Sequence, residues 1–146
     1  MNYNLILKSH DFSHKFLVKY AYLCAKEAAA KNKPNKEVNK CLDLVAKWLD
    51  DKTKVTNEEL RQAAAATYAT YATYAVTAYN AAAYAYYAAY AATTTYNAAT
   101  YAYYAAATAD RAIGAGVSEE RINQILLDLI DKELTPLERT VIGLKT

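Results

Sequence analysis

Between Arg61 and Asp110 the chain has no charged residue, no glycine and no proline. The strongest helix breakers and every ion pair are therefore missing from its middle third. Val76 is the only Val, Leu, Ile, Phe or Met in that stretch, which excludes a conventional leucine-rich core helix. Only two cysteines occur, Cys24 and Cys41, too few for a disulfide framework. Both fall on apolar helical stripes, where a reduced cysteine acts as a small core residue. The opening MNYNLILKSHD lacks a basic segment followed by a long apolar run, so a signal peptide is not expected. Neither sign of charge dominates. A net charge of +2 does not by itself argue for nucleic acid. Residues 1–62 carry +4 and residues 110–146 carry −2, a mild asymmetry that solvated helix faces accommodate. The uncharged middle is long enough to cross a bilayer, but Ala, Thr and Tyr supply little transfer energy beside Leu or Phe. A cytoplasmic, reduced protein without a membrane span is the expectation.

What fills that middle third is alanine, threonine and tyrosine. Residues 66–76 read ATYATYATYAV, and 23 of the 47 residues from 63 to 109 are alanine. Low complexity often signals disorder, but alanine is the strongest helix former and loses no side-chain entropy. Helix is the stronger reading. One unbroken rod would run about 70 Å at 1.5 Å per residue, too long for a small domain. Breaks are expected near Asn80 and in TTTYN at 93–97, giving helices over roughly 57–78, 81–93 and 97–112. Tyr68, Tyr79, Tyr90 and Tyr101 stand 11 residues apart, a spacing that returns to one helical face and suggests an internal duplication. Tyrosines between thin alanine helices are expected at seams, where their hydroxyls reach water or a partner.

The flanks read more conventionally. YNLILK is either a short extended piece or the lead into a helix. From about Ser13, Phe16, Leu17, Tyr20, Leu23, Cys24 and Glu27 share one helical face. Pro34 ends that helix, and Asn35 is placed to cap a second with Val38, Cys41, Leu42, Val45, Trp48 and Leu49 on its apolar stripe. Thr56 with Glu59 has capping-box spacing. Gly114 and Gly116 end the alanine-rich zone and Ser118 caps a helix carrying Ile122, Ile125, Leu126 and Leu129. Thr135–Pro136 starts a last short helix. The fold class is all-α: one domain over residues 1–146, a compact bundle of six or seven helices around an alanine- and tyrosine-rich core region at about 57–112.

Residues able to do chemistry are sparse. His10 and His14 in HDFSH have metal-pair spacing, but the chain has no third histidine, and Asp11 or Ser13 at that place suits helix capping. No Ser-His-Asp set, glycine-rich phosphate loop or carboxylate pair can be placed, so no enzyme and no cofactor are expected. Adjacent tyrosines are more informative. Tyr86–Tyr87 and Tyr103–Tyr104 point about 100° apart on a helix, so not every ring fits one narrow seam. Exposed aromatics are enriched at recognition surfaces. These four tyrosines, with Arg61 and Arg111 bracketing the uncharged zone, are the candidate partner- or ligand-binding residues. Helical ice-binding proteins repeat Thr every 11 residues. Here that spacing from Thr67 meets Ala78 and Ala89 before Thr100, and the period belongs to Tyr instead.

KYAYLCAKEAA, then EVNKCLDLVAKWLDDKTKVTNEELRQAAAATYA, then RINQILLDLI follow one another in this order. A Trp-ended helix, a short linker and an Arg lead into alanine repeats. The arrangement resembles alanine-rich bacterial and phage proteins classed as immunity proteins of polymorphic-toxin systems. The resemblance covers residues 14–130 and departs in carrying Tyr and Thr where more His, Arg and Glu are usual. It implies a non-enzymatic protein of the bacterial cell, phage-encoded in some members, that neutralises a toxin or immune effector by binding it. A related reading is a sponge for a nucleotide signal, with bases stacked on Tyr and Lys19, Lys26, Arg61 or Arg111 supplying the charge. A homodimer burying tyrosine edges, or a structural or ice-binding bundle, are the further alternatives.

Overall fold

The computed structural model of the chain describes residues 2–33, 36–72, 76–93 and 97–144, and the side chains of residues 70–72, 76–82 and 86 lie outside that description. Eight α-helices and one 3-10 turn occupy these residues, with no strand among them. In chain order they are α1 (Tyr3–Ser9), α2 (His14–Lys31), α3 (Lys36–Asp50), α4 (Asn57–Ala72), α5 (Val76–Ala92), α6 (Ala98–Gly114), α7 (Glu119–Glu133) and α8 (Pro136–Val141). No helix among the described residues is long and apolar enough to cross a membrane.

Side-chain caps set most of the boundaries. The Phe16 amide donates to Ser13 Oγ at 3.1 Å and the Arg121 amide to Ser118 Oγ at 3.1 Å. Thr56 and Glu59 bond reciprocally, as do Thr135 and Glu138. Each such cap contributes about 1 kcal/mol by satisfying amides that the helix itself leaves unpaired. Gly116 takes φ +105°, a backbone region that side chains disfavour, and this lets the Val117 amide fold back onto the Ala112 carbonyl at 3.0 Å. The cap expected from Asn35 lies outside the described residues.

The helix count exceeds expectation by α1. YNLILK is neither extended nor a lead-in. Asn2 accepts the Leu5 amide at 3.2 Å, and Tyr3 and Leu7, four residues apart, turn into the core. The expected break near Asn80 is also corrected, because Asn80 lies inside α5. One asparagine costs a helix interior at most about 0.7 kcal/mol, which three following alanines outweigh. The break expected in TTTYN lies largely outside the described residues, but α5 ends at Ala92 just before it and α6 begins at Ala98 just after it. Asn97 caps α6, accepting the Thr100 amide at 2.9 Å.

Helix α5 is the centre of the bundle and packs on α2, α3, α4 and α6. Ala83, Tyr84, Ala85, Ala88, Ala89, Ala91 and Ala92 are all buried. At 100° per residue these positions cover about two-thirds of the helix circumference, and half-buried Tyr90 lies in the remaining arc. Alanine makes such a helix thin, so four neighbours can close around it. Two amphipathic helices add conventional stripes, α3 against α5 itself and α7 outside it against α2 and α6. Val38, Cys41, Leu42, Val45 and Trp48 on α3, and Ile122, Ile125, Leu126, Leu129 and Ile130 on α7, are buried.

Two expectations about the tyrosines are overturned. The 11-residue register does not map to one face: Tyr68 is 50% exposed, Tyr90 half-buried and Tyr101 only 7% exposed. These residues sit on three different helices, α4, α5 and α6, so a count along the chain does not give them a common face. Tyr79, the fourth member, has its side chain outside the described residues. Nor are all rings at wet seams. Tyr84 is fully buried, and its hydroxyl has no hydrogen-bond partner among the described residues. Burial pushes that phenol up to about 12.

The buried threonines find a simpler solution. Thr67 donates to the Ala63 carbonyl at 2.9 Å, Thr93 to Tyr90 at 2.9 Å and Thr108 to Tyr104 at 2.8 Å. Each hydroxyl finds a carbonyl three or four residues back in its own chain, and Thr67 also reaches the Glu37 carbonyl of α3 at 3.4 Å.

Candidate functional site: an aromatic and cationic face on α5 and α6

Tyr103 and Tyr104 are successive residues of α6 and, as the 100° step requires, they face different surroundings. Tyr103 is 52% exposed, while Tyr104 is half-buried and gathers three rings around it. Tyr90 stacks on Tyr104 with centroids 5.5 Å apart, and Tyr87 lies 6.1 Å away. Tyr103 meets it edge-on at 5.6 Å. Tyr103 therefore rests against a neighbouring ring while about half of it stays open to solvent.

Two cations flank the cluster. Lys8 Nζ of α1 stands 5.9 Å from the Tyr103 ring centre, and the Arg111 guanidinium lies 5.9 Å over Tyr87. Cation–π contacts of this kind contribute about 0.5–1 kcal/mol at exposed sites. Between them is a hollow of about 130 Å³, with Ala106 and Ala107 as its small-residue lining and Asp110 at one edge. Asp110 is engaged from the side by α1, because the Tyr3 hydroxyl donates to its Oδ1. Burial first, and then that bond to the carboxylate, raise the Tyr3 pKa above the ordinary phenol range, so Tyr3 stays a donor.

Of the candidate residues, Tyr87, Tyr103, Tyr104 and Arg111 come together here. The Tyr86 side chain lies outside the described residues. Arg61 sits apart on the first turns of α4, where its guanidinium is 4.0 Å from Glu58, one helical turn away. Lys19 and Lys26 belong to a different surface, between α2 and α7. Lys8 takes the place they were expected to fill. Its sequence neighbourhood carries no binding signal, and only the docking of α1 on α6 brings it to Tyr103.

The two histidines diverge instead of converging on a metal. His10 Nδ1 donates to the Ile142 carbonyl at 3.1 Å. His14 Nε2 donates to the Ala91 carbonyl at 2.6 Å, stacks on Tyr101 at 3.7 Å and meets Trp48 edge-on at 5.0 Å. Since a carbonyl only accepts, Nε2 of His14 carries its proton, and the neutral ring leaves Nδ1 bare. Ser13, not Asp11, caps α2. Among the described residues no three His, Cys, Asp or Glu side chains meet. Cys24 and Cys41 are buried, and desolvation pushes both thiols up to about 12.

The His14 setting has a consequence for stability. Burial lowers its pKa, the Ala91 bond opposes this, and Lys52 adds to the lowering. As pH falls below about 6.5 the unfolded chain takes up the proton first, so folding loses stability until the folded pKa is passed. Above that range the contribution is complete. Melting temperatures between about pH 7.5 and 5 should therefore fall more steeply for the natural chain than for His14→Gln. Equal slopes would remove His14 as the source.

No family model, no curated protein and no solved structure matches the chain.

Proposed function

We propose that the protein is a non-enzymatic binding protein that neutralises a macromolecular partner by covering it with the tyrosine face of α5 and α6. The observation that carries this reading is Tyr103, half-exposed yet braced by Tyr104 and flanked by Lys8 and Arg111. Rigid aromatics beside arginine are the residues that dominate binding energy at protein interfaces. Groups that often perform chemistry have other tasks here: both histidines donate to carbonyls and both thiols are buried. The resemblance of residues 14–130 to immunity proteins points the same way, with a bacterial toxin or immune effector as the partner and the bacterial cytoplasm as the place.

A second reading, capture of a nucleotide-like signal, is favoured by the pairing of cations with ring faces at Tyr87 and Tyr103. The hollow of about 130 Å³ suits a phosphate-sized group, with a base stacking outside it on Tyr103. Absorbance near 260 nm travelling with the freshly purified protein would favour this second reading.

Photo-crosslinking tests the first. Tyr103→p-benzoylphenylalanine in bacterial cells should give one dominant protein adduct, which mass spectrometry identifies. The same substitution at Tyr68, exposed on α4 away from the cluster, should not give it. No protein adduct at position 103, or the same adduct at both positions, contradicts a dedicated tyrosine face.

A further inference from the structure

A separate surface lies between α2 and α7. Lys19 pairs with Glu133 and Glu27 with Arg121, so the two helices run antiparallel. Between them is a trench of about 420 Å³ with an apolar floor of Leu23, Ile125 and Leu129. On its α2 wall stand Lys19 and Lys26, and on its α7 wall Arg121 and Lys132. Only Glu27 and Asp128 oppose these four cations within the lining. Lys19 and Arg121 are each held by a carboxylate, Glu133 and Glu27, while Asp128 accepts from neutral Gln124 at 2.7 Å. Lys26 and Lys132 have no ion pair among the described residues.

We propose that this trench docks an acidic amphipathic helix from a partner protein. Its shape selects an elongated occupant. Lys19 to Ala30 spans about 16 Å along α2, three turns of helix. The cations are strung along both walls: two turns separate Lys19 from Lys26, and three separate Arg121 from Lys132. A compact anion would meet only part of this array. A helix lying lengthwise sets its apolar face over Leu23 and the open edges of Ile125 and Leu129, and carboxylates on its two flanks meet Lys26 on one wall and Lys132 on the other. The trench lies on α2 and α7, so the inference does not depend on the tyrosine face.

The test is an anisotropy titration of the full chain with a labelled synthetic helix bearing leucines on one face and glutamates on both flanks. A counterpart carries lysines in place of the glutamates. The acidic peptide should bind about tenfold more tightly, and this preference should shrink as salt rises. Lys26→Glu with Lys132→Glu should invert the order of the two peptides, whereas Tyr103→Ala should leave it unchanged. Lys26 and Lys132 are exposed, so the double variant is expected to keep its fold, which a melting curve checks. Should that variant unfold, Lys26→Gln with Lys132→Gln must still narrow the preference. Equal binding of both peptides, no binding of either, or an order unmoved by these substitutions overturns the proposal. So does loss of binding in Tyr103→Ala, which would place the helix on the tyrosine face. Dimers of the chain that dissolve on the double substitution would equally overturn it, since the trench occupant would then be a second copy.

Discussion

Tyr84→Ala is expected to lower stability by about 2–4 kcal/mol, among the largest effects of any tyrosine substitution in this chain. The ring is wholly enclosed in the central helix. Deleting a buried aromatic ring usually costs about 3–5 kcal/mol, because neighbours close the cavity only in part. The hydroxyl returns some of this. It has no partner among the described residues, and an unpaired buried hydroxyl costs about 1–3 kcal/mol, so its removal is a gain. Tyr84→Phe separates the two contributions: it keeps the ring, drops the orphan oxygen and should raise stability by about 1 kcal/mol. In a domain of this size each kcal/mol moves the melting temperature by about 3–4 °C. Thermal melts of the pair should therefore shift in opposite directions. A Tyr84→Phe variant that melts lower than the natural chain would mean the hydroxyl has a partner.

Ala88→Leu should be nearly as damaging for the opposite reason. Ala88 is fully buried on α5, a helix that packs on four others. Added carbons at such a seam force helices apart, and overpacking typically costs about 1–3 kcal/mol or somewhat more. Leucine at an amphipathic helix surface would do no such harm, since leucine is itself a good helix former. Ala88→Gly is the control. It adds no volume and should cost only about 1 kcal/mol through helix propensity. If urea titrations find the leucine variant as stable as the natural chain, α5 is not tightly enclosed.

These two positions also show what the sequence could and could not disclose. Capping pairs such as Thr56–Glu59 and Thr135–Glu138 are local, so spacing alone revealed them. The stripes of α3 and α7 were legible because large apolar residues alternate there with charges. The central tract offers no such contrast. Alanine fits an inside or an outside position equally well, and tyrosine has both an apolar body and a polar tip. Nothing local marks Tyr84 as enclosed and Tyr103 as exposed. That difference follows from α5 lying among four helices while α6 has an outer face. The 11-residue register misled for a related reason: it counts along the chain, whereas its tyrosines sit on three different helices. Within the candidate site, the adjacency of Tyr103 and Tyr104 did signal an exposed ring. Lys8 was invisible because only the docking of α1 against α6 brings it there.

The alanine-rich tract thus carries two kinds of tyrosine, one enclosed in the scaffold as Tyr84 is and one open to solvent as Tyr103 is. Paired measurement of melting temperature and partner capture for Tyr84→Ala and Tyr103→Ala tests this division most directly. Capture is read as the protein crosslinked at position 103, recovered from bacterial lysate on each immobilised variant. Tyr103→Ala should lose that partner while melting within about 2 °C of the natural chain, as expected of an exposed side chain. Tyr84→Ala should melt far lower and still capture the partner at a temperature where it is folded. Capture unaffected by Tyr103→Ala, or lost only in step with melting temperature in both variants, would contradict a binding face distinct from the scaffold.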